Sequence, residues 1–177
     1  MRRFLDRLYA ASGAAAAVCL ASIAVVMLAQ AGMREFGLLL RGADDIVAWL
    51  CAGSAFFALG YTLRHGELVR VGLIIERLPR GARRHVETLC LALALLTVAY
   101  ITWAAARFVY ESWVFEEVAQ GLIQIPIWIP QMSFVLGALV FLVAVADELV
   151  AHLSGRKPAY QVADDARRSK ADFSDHL

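Results

Sequence analysis

Charged residues divide this chain into four long uncharged runs: Leu8–Met33, Ile46–Leu63, Thr88–Ala106 and Val118–Ala146. Within each run apolar residues follow one another without the strict alternation of a half-buried strand. A helix rises 1.5 Å per residue, so crossing a hydrocarbon core takes roughly 20 apolar residues. The runs hold 26, 18, 19 and 29 residues, and each meets or approaches that length. Membrane-barrel strands would instead show alternating segments of about 10 residues. The pattern therefore predicts an all-α integral membrane protein with four transmembrane helices, near 8–33, 46–63, 88–106 and 122–146. Residues 1–153 form this domain, and the polar sequence from Ser154 to Leu177 reads as a mobile tail.

Composition agrees. Hydrophobic residues make up 60% of the chain and charged residues 19%, with a mean hydropathy of +0.63. One soluble core of this size could not cover so much apolar surface. The net charge of +1 says little, but its distribution says more. Of 17 basic residues, only Arg34, Arg41 and Arg107 fall in the connections after the first and third runs. All the others lie before the first run, between the second and third, or after the fourth. Basic residues are retained on the cytoplasmic side, which places both termini and the second connection in the cytoplasm.

Smaller features refine this outline. Arg2, Arg3, an apolar stretch and Ala29-Gln30-Ala31 resemble a cleavable signal peptide, but the apolar stretch exceeds the usual 7–15 residues and Asp6 interrupts the basic start. An intact mass separates cleavage from retention and leaves the later topology unchanged. Gly13, Ala17 and Ala21, and Gly53 and Gly60, offer small surfaces on which helices pack closely in lipid. Asp44 and Asp45 suit a helix N-terminus, and Trp49, Trp113 and Trp128 fall near the outer boundary, where aromatic rings are favoured. Cys19, Cys51 and Cys90 have no redox or zinc spacing and read as small residues buried in helix packing.

The connection between the second and third runs is unusual. "RHGELVRVGLIIERLPRGARR" places Leu68, Val71, Ile75, Leu78 and Ala82 on one helical face and Glu67, Arg70, Arg77, Arg80 and Arg84 on another. Glu76 and Arg80 are one turn apart, a pairing worth roughly 0.2–0.5 kcal/mol. Such a segment lies flat at an interface with its apolar face in lipid and its arginines on phosphates. Gly66 allows a sharp exit from the second helix and Pro79 ends the segment. A basic loop that only sets orientation is the plainer alternative.

No Asp, Glu, Lys, Arg or His falls in the middle of a run. Such residues mark ion pathways and proton relays, so a self-sufficient ion-coupled pump is a poor fit. His65, His85, His152 and His176 lie at or beyond the run ends, where they could not hold a haem inside a bundle. No nucleotide loop or hydrolytic triad is visible. No catalytic, substrate-binding or metal-binding set, no cofactor and no nucleic-acid partner is expected. The stretch "QIPIWIPQ" brings Pro126, Trp128 and Pro130 to the start of the fourth helix. Pro130 cannot donate to the carbonyl of Pro126, so the first turns loosen; half-open helix starts form binding sites in transporters, though proline near a helix start is also ordinary.

Taken in order, "LGYTLRHGELVRVGLIIERLPRGARR" and "IPIWIPQ" give the chain a family resemblance. From about Phe4 to His152 it resembles the small membrane subunit, or Q component, of tripartite ATP-independent periplasmic (TRAP) transporters. In that family the second helix ends in Arg/His-Gly-Glu before an aliphatic-basic segment, Leu-Pro and a basic run. Gly72 departs from the pattern, standing where relatives carry Asp after Arg-Val. The resemblance implies a bacterial inner-membrane protein without enzymatic activity, beside a large permease subunit that holds the sodium and substrate sites. A periplasmic binding protein would deliver an organic acid such as a C4-dicarboxylate. On this reading Arg64, His65, Gly66, Glu67, Arg70, Glu76, Arg77, Pro79, Arg80, Arg83 and Arg84 form a lipid anchor for a fixed scaffold. The alternatives are a stand-alone homo-oligomeric transporter or channel, and a membrane assembly or sensory protein.

Overall fold

A computed structural model describes residues 2–65 and 80–155. Helix α1 runs Arg2–Glu35, α2 Ala43–Arg64, α3 Arg80–Val114 and α4 Trp128–Leu153. All four are long and apolar enough to cross a membrane. The amphipathic segment expected between the second and third helices falls on residues 66–79, outside the described residues, as does the tail beyond Gly155.

All four helices overrun the uncharged runs that predicted them, the first three at both ends. With 35 residues α3 is about 52 Å long, well beyond a hydrocarbon core of about 30 Å. Its extra turns carry the charged residues that bound the uncharged run, Glu87 on one side and Arg107 and Glu111 on the other. Two stops follow from local chemistry. Gly37, at φ 71, ends α1 with Leu38 N–H donating to the Met33 carbonyl at 2.9 Å and Gly37 N–H to Arg34 at 3.0 Å. This is the paired bonding of a left-handed helix terminus. Glu116, at φ 50, ends α3 in the same manner through Ser112 and Trp113.

The fourth helix corrects the expected boundary, since it begins at Trp128 and not at residue 122. Leu122, Ile123 and Ile125 are apolar enough to extend a span, but their backbone is used elsewhere. The Asp45 carboxylate on α2 accepts from Leu122 N–H at 2.8 Å and from Ile123 N–H at 3.4 Å. Val118 and Pro126 pair in an antiparallel bridge, and Ala119 N–H donates to the Ile125 carbonyl at 2.9 Å. The segment is a folded loop, and Pro130, third in α4, lacks an N–H that a first turn leaves unused anyway.

The helices stand in a flattened row. α1 packs on α2, α2 on α4 and α4 on α3, with α1 touching α4 only lightly. Buried residues gather in two small clusters. Tyr9, Leu63, Ala144 and Val145 fill the end that holds the chain termini. Ala105, Val109 and Val135, covered by Trp128 and Phe134, fill the loop end. Small residues set the spacing between them. A Cβ on Gly137 would stand 2.6 Å from the Phe56 backbone, and one on Gly13 would stand 2.7 Å from the Tyr61 ring. Ser12 Oγ adds a 2.6 Å bond from α1 to the Phe57 carbonyl of α2. Ala17 and Ala21, expected on the same stripe as Gly13, are exposed; the buried face of α1 runs through Tyr9, Ser12 and Ala16 instead. Cys51 and Cys90 are likewise exposed and not packed between helices.

Candidate functional site

The most polar locus in the described structure lies at the termini end, where four helix ends meet. Its hub is Arg64, in the last turn of α2. One guanidinium nitrogen bonds Asp147 of α4 at 2.9 Å, and the other bonds Asp6 of α1 at 3.0 Å. The Glu148 carboxylate lies 4.0 Å away and is almost fully buried. The same guanidinium sits over the Tyr9 ring, 5.7 Å from its centroid, a favourable place for a cation above the negative face of the ring. One planar, delocalised cation thus joins three helices in a way a lysine ammonium could not.

The network continues to the fourth helix. His152 near the end of α4 is buried; its Nε2 is 3.1 Å from Thr88 Oγ1 and its Nδ1 3.8 Å from the Glu87 carboxylate, both on α3. Every adjacent pair in the row is therefore tied at this end by a polar contact. The ends of α1 and α3 are reached by α2 and α4, which carry Arg64 and His152. The carboxylates are engaged by a guanidinium that cannot give up its proton, and no group of three or more potential metal ligands occurs among the described residues.

The expected anchor residues divide into three groups. Arg64 is described and is engaged by Asp6 and Asp147. His65 stacks on Tyr61 at 4.0 Å between centroids, and its Nδ1 is 2.9 Å from the Tyr61 carbonyl. Gly66, Glu67, Arg70, Glu76, Arg77 and Pro79 lie outside the described residues, while Arg80, Arg83 and Arg84 occupy the first turns of α3. The sequence reading missed Asp6, Asp147, Glu148 and His152 as partners. The usable signal was an acid inside the basic N-terminal stub and an acid pair directly after the fourth run, all on the arginine-rich side.

At the loop end the helix 4 start residues flank two open grooves. Pro126 and Trp128, with Trp113, Val114 and Glu116, line one of about 590 Å³. Pro130 borders a second of about 310 Å³ with Trp49, Phe108, Gln131 and Phe134. Neither contains a paired acid and base. Asp45 is the structural key here. Asp45→Ala removes the acceptor for two loop amides, a local loss of about 1–3 kcal/mol. Hydrogen exchange at Leu122 and Ile123 should accelerate while the interiors of α2 and α4 stay protected.

The family model described as the DctQ component of the tripartite ATP-independent periplasmic transporters matches residues 23–155, more than half of the 177 residues. No curated protein matches the chain.

Proposed function

Because this chain belongs to the DctQ family, the small membrane component of TRAP transporters, we propose that it is the fixed, non-catalytic scaffold beside a large permease subunit. The observation that carries the reading is where the charges sit. The uncharged runs contain no Asp, Glu, Lys, Arg or His, and the charges bordering them at the termini end tie helix to helix. A transport pathway needs ionisable or polar groups facing a cavity at membrane depth. A scaffold needs helix ends that hold register, which is what Arg64 and His152 supply.

On this reading the partner binds sodium and substrate and moves them across the membrane, while a periplasmic binding protein delivers an organic acid of the C4-dicarboxylate kind. The chain lies in the bacterial inner membrane with both termini in the cytoplasm, following the arginine distribution. Arg70, Arg77, Arg80, Arg83 and Arg84 hold the scaffold at the lipid surface, resisting tilt and vertical drift beside a moving partner.

Purification from native membranes through a tag on this chain tests the reading. A large, many-helix permease should co-purify; a homo-oligomer that moves solute by itself would replace the proposal. Neutralising Arg77, Arg80, Arg83 and Arg84 together should reduce uptake or assembly and leave substrate affinity at the binding protein unchanged. Full uptake at normal membrane levels would remove the anchoring role.

A further inference from the structure

The row of helices has two edges, α1 and α3, and their outward faces differ in chemistry. The large exposed side chains along the α1 span carry no hydrogen-bond donor: Val18, Leu20, Val25, Met27 and Leu28. Lipid chains satisfy such a surface completely. On α3 the buried residues Leu91, Thr102, Ala105 and Val109 face α4, and the opposite side carries Leu93, Leu96, Tyr100, Trp103, Arg107 and Glu111. These recur at three- and four-residue steps and form one stripe.

Depth makes this stripe informative. The uncharged run of α3 extends from Thr88 to Ala106, with its midpoint at Thr97. At 1.5 Å per residue Tyr100 is about 4.5 Å from that midpoint and Trp103 about 9 Å. The hydrocarbon extends roughly 15 Å either way. An aromatic belt sits at headgroup level, a position that suits Tyr110 and Trp113 but lies beyond Tyr100 and Trp103. Both side chains are exposed, at 67% and 58%, and neither polar atom has a hydrogen-bond partner among the described residues. Thr97 and Thr102 nearby satisfy their hydroxyls on their own helix, through the Leu93 and Val98 carbonyls. Hydrocarbon offers nothing to a tyrosine hydroxyl or an indole N–H, and leaving such groups bare is costly.

The stripe is also held in place before any partner arrives. Tyr100 and Trp103 rings lie 6.1 Å apart. The Arg107 guanidinium sits 5.8 Å from the Trp103 ring centroid and bonds Glu111 at 2.9 Å. Tyrosine, tryptophan and arginine, already ordered, are the residues that dominate protein interfaces.

We propose that the outward face of α3 docks a transmembrane helix of the large permease subunit, which supplies hydrogen-bond acceptors at membrane depth to Tyr100 and Trp103. This rests on the scaffold reading above. The apolar edge of α1 then faces lipid, so the flattened row is attached along one side only. The partner helix presents carbonyl, hydroxyl or amide oxygens opposite the aromatic pair, and small residues where Leu93 and Leu96 must approach.

A photoreactive phenylalanine analogue at position 100, and for comparison at position 20, tests this in membranes holding the whole transporter. The expected result is an adduct with the large subunit from position 100 and none from position 20. Replacing both residues, Tyr100→Leu with Trp103→Leu, should lower co-purified permease by about tenfold, with the level and melting temperature of this chain unchanged. Adducts from position 100 only to lipid or to a second copy would overturn the proposal. Adducts to the permease from position 20 in place of position 100 would overturn the docking face and leave the scaffold reading standing. Failure of the unmodified chain to co-purify any large subunit would sink both.

Discussion

Arg64→Ala is expected to destabilise the detergent-solubilised protein by about 1–3 kcal/mol, the cost of taking a charged hydrogen-bond partner from partly buried carboxylates. The loss is large because Arg64 serves three carboxylates at once, and Glu148 is only 2% exposed. Without the guanidinium, Asp6 and Asp147 lose the cation they hydrogen-bond, Glu148 loses a nearby positive charge, and the ring of Tyr9 loses the cation above it. Asp6 is more than half exposed, so most of the effect comes from the α2–α4 contacts. Melting curves should show a lower midpoint for Arg64→Ala, a smaller drop for Arg64→Lys, and partial recovery when Glu148→Gln is added to the alanine variant. The recovery marks the charge on Glu148 as the cause, since a simple loss of packing would not be relieved by removing a charge.

Gly137→Leu should be comparably severe for a different reason. The seam between α2 and α4 joins the two halves of the row, and at Gly137 the α4 backbone lies directly against Phe56 of α2. A Cβ there would meet Phe56 C and Cβ at 2.6 Å and its carbonyl oxygen at 2.8 Å. None of these is the far end of a flexible side chain, so one helix must move as a body. Phe56 and Phe134, packed edge to face with centroids 4.0 Å apart, would lose their fit in the same shift. Overpacking of this kind costs about 1–3 kcal/mol and sometimes more, and the expected outcome is low membrane yield with a broadened melting transition. Gly32→Ala is the matched control. Its Cβ meets nothing within 4 Å, and alanine in a helix is worth roughly 0.5–1 kcal/mol over glycine, so this variant should be neutral or slightly more stable.

The number of helices and their approximate positions were legible because the bilayer imposes a length on each apolar run. Helix ends were less so. A run marks where charge stops, whereas a helix stops where its carbonyls find other partners, as at Gly37 and Glu116. The start of α4 was misread because Leu122–Ile125 is apolar enough to extend the span. What removes it from the helix is a carboxylate 77 residues earlier in the chain, Asp45.

The termini-end network shows the same limit. Arg64 stood out as a motif residue, yet its partners lie 58 and 83 residues away, and only packing order decides which acids it meets. Helix phase was legible in part. Gly13 does lie against α2, but without the neighbouring helix nothing distinguished its face from that of Ala17. The contrast between the α1 and α3 edges was present in the letters all along. Tyr100 and Trp103 became informative once the α4-facing side of α3 was known, because exposure at membrane depth depends on what each helix packs against.

The central claim is that this chain holds position while another subunit carries the cargo. Uptake of organic acid into sealed vesicles tests it most directly, with a sodium gradient and the cognate binding protein outside, and with this chain reconstituted alone or beside the large permease. The account predicts gradient-driven uptake from the paired subunits and only the leak of empty vesicles from this chain by itself. Uptake by this chain alone, at a rate near that of the pair, would contradict it.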